Sequence, residues 1–125
     1  MLLAVAESQG IETDLLPKIA TGFCSGLART GGLCGALSGA IMGLNLMTGR
    51  NEPNASTEEN YALVRNLIEQ FEDKFGSTAC RELTGVNLGS PNGIAEFREK
   101  NQLENCLNYA EVATGMVLSL ADVKD

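Results

Sequence analysis

At 125 residues and 13.2 kDa, with 44% hydrophobic and 20% charged residues, the chain has the size and balance of one independently folding domain spanning residues 1–125. Nine Lys and Arg against sixteen Asp and Glu give a formal net charge of -7, which builds no basic face for a nucleic-acid backbone. The absence of histidine excludes Ser-His-Asp and Cys-His nucleophile systems and His-ligated zinc, and the absence of tryptophan argues against a base-stacking platform.

The N-terminal MLLAVAESQGIETD has no basic residue before its apolar stretch and reaches Glu7 too early for a secretory signal. The longest apolar run, Leu33 to Met47, is shorter than the roughly 20 residues that span a membrane. Both features predict a cytoplasmic protein, in which four cysteines serve as thiols, metal ligands or catalytic groups rather than as structural disulfides.

Periodicity is helical along nearly the whole chain, and no stretch alternates with period two. Leu2 to Ser8 ends a first helix, closed by Gly10. Asp14 caps a second, which takes Pro17 in its first turn and is expected to bury Leu16, Ile19, Ala20 and Phe23. The glycine-rich stretch from Thr21 to Gly32 breaks that helix, and Cys34 to Leu46 reads as a tightly packed third. Ser56 and Glu59 form a capping box ahead of an apolar stripe at Tyr61, Val64, Leu67, Ile68, Phe71 and Phe75, which Gly76 ends. Ser77 to Leu83 forms a short helical turn, Thr84 to Gly93 is turn-rich, and Ile94 to Lys100 is a weak helix. A last helix from Leu103 to about Asp122 sets Leu103, Cys106, Leu107, Ala110, Ala113, Val117 and Leu120 on one face. The sum is an all-α fold, a helical bundle of about four to five helices.

Within this frame the cysteines carry the chemistry. Cys34 opens its helix, where unpaired amides and the positive end of the macrodipole favour a thiolate, with Gly31 and Gly32 leaving amides open and Arg29 nearby in sequence. The competing reading makes Cys34 a small buried hydrophobe beside a close helix crossing. Glycines at 31, 35, 39 and 43 fit that crossing, while Gly35 and Gly39 could instead clear space for a cluster or a substrate. Cys80 has Arg81 beside it, either as support for a thiolate or as a solvated charge. Cys106 points toward the bundle from the last helix, and Cys24 lies in the glycine-rich bend. No C-x-x-C pair occurs, so a joint site must draw its sulfurs from separate helices, and a tetrathiolate set would suit iron-sulfur or zinc. Glu58, Glu59, Glu69, Glu72 and Asp73 fall opposite the apolar stripe as a solvated face.

ATGFCSGLARTGGLCGALSGAIMGL from Ala20, FEDKFGSTACRELTG around Cys80 and NCLNYAEVA around Cys106 resemble, in order and spacing, the C-GCAxxG-C-C family. Cys34, Gly35, Ala36 and Gly39 fill its CGAxxG motif. The resemblance implies a small all-helical protein whose cysteines do redox work, with a link to membrane transporters. It also implies iron-sulfur ligation, through a likeness to the cysteine-bearing part of split-Soret-type cytochromes c. With no C-x-x-C-H in the chain, no haem is expected. MLLAVAES resembles the stretch that follows the family's first cysteine, and Cys24 stands where the family more often has glycine. A four-thiolate set therefore needs a cysteine ahead of this stretch, or Cys24 in its place.

The leading expectation is a redox-active protein in which Cys34, Cys80 and Cys106 act catalytically, Cys34 as thiolate and Cys80 or Cys106 as resolving partner. Gly35, Gly39 and Arg81 would support the site, and Cys24, Cys34, Cys80 and Cys106 would be the metal ligands if a cluster forms. Its partner would be an electron carrier or a thiol. Two other readings stand beside it: a helical interaction module that pairs with itself as a homodimer or with another protein, its cysteines buried and unreactive, and a structural zinc site.

Overall fold

The computed structural model of the chain describes residues 2–124. Its centre is the helix with the least side-chain bulk, α3 (Gly35–Thr48), which packs against α1 (Leu2–Ser8), α4 (Glu58–Phe75) and α7 (Gln102–Lys124). Leu37, Ala40 and Leu44 of α3 meet Val5 of α1, Leu67 and Phe71 of α4, and Ala113 and Val117 of α7 in one core, all fully buried. Gly43 allows the closest of these crossings, because a Cβ there would stand 2.9 Å from Cγ2 of Val5. At that position the glycine spacing serves packing. A smaller core joins Leu2 and Ala6 to Leu16 of α2 (Leu15–Ala20).

The fold is all-α, as the periodicity predicts, but seven α-helices are present among the described residues rather than four to five. The additional ones are short: α5 (Cys80–Thr84) and α6 (Gly93–Glu99) close complete hydrogen-bonded turns where the sequence suggests turns and a weak helix. Left-handed glycines punctuate them, with Gly76 at φ 86° ending α4 and Gly85 at φ 68° ending α5. The N-cap of α4 is Thr57 rather than Ser56 and makes no side-chain cap hydrogen bond, while the Ser56 hydroxyl, one residue ahead of it, accepts the Glu58 amide at 3.4 Å.

Three burial expectations are corrected. Ile19 is 63% exposed and Phe23 is exposed, because α2 is only six residues long and turns inward Leu16, which is buried, and Ala20, which is partly buried. Leu103 and Leu107 are 59% and 61% exposed, since α7 meets the core that α3 and α4 share from Tyr109 onward, with Ala113, Val117 and Leu120 buried in it. Tyr61 is exposed at the start of α4, whereas Leu67 and Phe71 are fully buried as the stripe predicts. The acidic residues of α4 are exposed.

Between α2 and α3 the chain does something that no propensity foretells. After a 3-10 turn at Thr21–Phe23, the segment Cys24–Arg29 winds left-handed, with φ of 57° at Ser25, 67° at Gly26, 59° at Leu27, 55° at Ala28 and 68° at Arg29. Such a turn costs L-residues roughly 1–2 kcal/mol each, so it persists only where surrounding contacts hold it.

Candidate functional site

Two cysteines are joined through the backbone before any side chain is considered. Leu33 forms an isolated antiparallel bridge with Ala79. On either side of it the Cys34 amide donates to the Thr78 carbonyl at 2.8 Å and the Cys80 amide to the Gly32 carbonyl at 2.7 Å. Period-two alternation places Cys34 and Cys80 as diagonal neighbours on one side of this bridge. Each then starts a helix, Cys34 as the N-cap of α3 and Cys80 as the first residue of α5.

The left-handed turn folds onto this pair. Gly26 is buried, and a Cβ added there would overlap Cβ of Cys80 and lie 3.0 Å from its Sγ. At φ 67° and with no room for a methyl, only glycine fits. Gly35 lies against the opposite end of the turn, with its Cβ position 3.4 Å from the Phe23 carbonyl and 3.5 Å from Cα of Cys24.

Cys106 enters from α7, and Cys24, Cys34, Cys80 and Cys106 together line one cavity of about 330 Å³. Leu83, Phe97 and Tyr109 supply much of its apolar wall. Cys34 and Cys80 are 7% and 8% exposed, Cys106 is half-buried and Cys24 is exposed. All four are free thiols.

Burial pushes the Cys80 thiol above its ordinary value and the neighbouring Cys34 adds to the rise, while a hydrogen bond with Thr84 offsets part of it. Cys106 is pushed up to about 11, first by burial and then by Cys34 and Cys80. Tyr109 is raised by burial, then by Cys106 and Cys34. Cys80 thus feels the charge of Cys34, and Cys106 the charge of both, which makes Cys80 and Cys106 harder to ionise.

Among the described residues, no group of three or more His, Cys, Asp or Glu could hold a metal ion.

The other expected site residues divide. Gly35 lines the thiol cavity, but Gly39 is buried on an adjoining groove of about 470 Å³ between α1, α2 and α3, which shares Cys24 and Gly35 with that cavity. Arg81 is exposed, with its Cβ 3.1 Å from the Cβ position of Gly31, and it does not line the cavity. Three contributors escape the sequence reading. Tyr109 lies three residues after Cys106 and Thr84 four after Cys80, helical spacings that could have revealed both. Gly26 had only its place in a glycine-rich bend to mark it.

No helix among the described residues is long and apolar enough to cross a membrane. A family model described as "Putative redox-active protein (C_GCAxxG_C_C)" matches residues 1–120. No curated protein and no solved structure matches the chain.

Proposed function

Since the chain belongs to the C_GCAxxG_C_C family of redox-active proteins, we propose that it performs thiol–disulfide exchange with Cys34 and Cys80 as the working pair and Cys106 as a third sulfur beside them. The observation that carries this reading is the convergence of these thiols on one cavity, two of them tied by the bridge at Leu33 and Ala79.

The Cys34 sulfur, at the N-terminus of α3, attacks one sulfur of a partner disulfide. The partner's S–S bond breaks, and the departing sulfur takes up a proton. Cys80 then attacks the Cys34 sulfur of the mixed disulfide and releases the second partner thiol, leaving a Cys34–Cys80 disulfide. Two cysteine thiols are oxidised and one disulfide is reduced to two thiols. Diagonal positions across an antiparallel pair stand about 7–8 Å apart. That is beyond the reach of a disulfide without backbone movement, so closure requires a shift of the five-residue α5.

The first measurement is metal and inorganic sulfide content, with a visible spectrum, on protein purified without oxygen. Thiol counting and mass mapping of linked peptides follow, before and after exposure to a disulfide reagent. Loss of two thiols with a Cys34–Cys80 linked peptide is the expected result. Iron and sulfide in proportion, bleached by reductant, would replace exchange with cluster ligation. Four thiols inert to every disulfide would leave the helical interaction module.

A further inference from the structure

A second cavity of about 420 Å³ adjoins the thiol cavity, the two sharing Ser25, Leu88, Phe97 and Leu103. Arg29, Arg98 and Asn101 also line it. Two guanidiniums on one cavity stand out in a chain with nine cations against sixteen acids. Neither is in an ion pair among the described residues, where the salt bridge of α6 joins Lys100 to Glu96.

The backbone around this cavity is strained in two segments. Among the described residues, the non-glycine positions with positive φ are Ser25, Leu27, Ala28, Arg29 and Asn101. Three of these, Ser25, Arg29 and Asn101, line the arginine-bearing cavity. The loop after α5 clasps the turn here, since a Cβ at Gly89 would lie 2.9 Å from the Arg29 carbonyl. Residues held in sparsely populated backbone regions cluster at ligand sites, because the surrounding fold must stabilise them.

We propose that this cavity is the recognition half of the exchange site, taking the carboxylates of a small disulfide whose sulfurs lie in the thiol cavity. The inference rests on the exchange reading above. Both cavities fall in the size range of small-molecule sites, and the planar guanidinium fork matches a carboxylate. The substrate class is the disulfide of a low-molecular-weight, carboxylate-bearing thiol. Its S–S bond breaks as Cys34 attacks, the first small thiol leaves protonated, and Cys80 displaces the second. One substrate disulfide becomes two thiols as two cysteine thiols become one disulfide, with no further oxidant.

The test compares second-order rates of thiol loss in the full chain with oxidised glutathione, which is anionic, bis(2-hydroxyethyl) disulfide, which is neutral, and cystamine, which is cationic. The net charge of -7 alone would favour the cation. The proposal expects oxidised glutathione to react about tenfold faster than the neutral disulfide, the worth of one charge-assisted contact. In Arg98→Gln that ratio falls toward one, and it falls likewise in Arg29→Gln. Arg98 lies on exposed α6, so its variant tests the idea even if the Arg29 variant disturbs the left-handed turn. If neutral and cationic disulfides react as fast as oxidised glutathione, carboxylate recognition is overturned while exchange stands. If no disulfide reacts with the protein, both readings fall.

Discussion

Gly26 bears the tightest restraint in the site. Replacing it with alanine sets a methyl into Cβ of Cys80 at a φ of 67°. The backbone conformation alone costs an L-residue roughly 1–2 kcal/mol, and the overlap adds about 1–3 kcal/mol. Gly26→Ala should therefore lower stability by about 2–5 kcal/mol, read as a reduced urea midpoint at constant m-value. An unchanged midpoint would mean that the turn does not rest on Cys80. Cys106 makes a second prediction at this scale, because its thiol moves from an ordinary 9.0 to about 11 in the fold. A thiol that holds its proton more tightly folded than unfolded contributes stability that is intact below pH 9. That contribution is lost as the pH rises toward 11, where only the unfolded chain ionises readily. Cys106→Ala should flatten the alkaline fall in urea midpoint over that window, and a variant curve parallel to the parent's would show that other groups govern it.

Glycines in helices separate by backbone conformation. Gly76, left-handed at φ 86° with open space around it, should lose about 1 kcal/mol on mutation to alanine, whereas Gly115, exposed inside α7 with nothing within 4 Å, should gain about 0.5–1 kcal/mol. Thermal midpoints moving in the same direction for both would contradict the assignment of Gly76 as a left-handed terminus. The same distinction explains what could be read ahead of the structure. The helix α4 was legible because Leu67 and Phe71 recur at helical spacing and Gly76 stops them. The placement of Cys34 at a helix start was legible from the glycines before it. The turn at Cys24–Arg29 was not, because its handedness opposes the preference of Ser25, Leu27, Ala28 and Arg29. It is held by contacts distant in sequence or specific to the folded turn. These include Gly26 against Cys80, Gly89 against the Arg29 carbonyl, and the Gly32 amide on the Gly26 carbonyl at 3.0 Å. Pattern reading sees the chain locally, so it named the four cysteines that line the cavity and missed the turn that folds onto two of them.

At the scale of the whole molecule, the bridge between Leu33 and Ala79 closes a segment that contains α3 and α4, the two helices supplying most of the main core. A disulfide from Cys34 to Cys80 would close the same segment covalently and restrict the unfolded chain. For a loop of this length the chain-entropy argument gives about 4 kcal/mol, less whatever strain the shift of α5 introduces. The redox state of the pair should then be readable in global stability, although the site lies at one edge of the core. Oxidised protein, with the linkage mapped to Cys34 and Cys80, is expected to unfold at higher urea than the reduced form. The difference should vanish on reduction and be absent in Cys80→Ser. Equal midpoints for mapped oxidised and reduced protein would mean that strain in the closed form cancels the loop term. The disulfide would then be the easily reduced kind that suits turnover rather than the resistant kind that suits a staple.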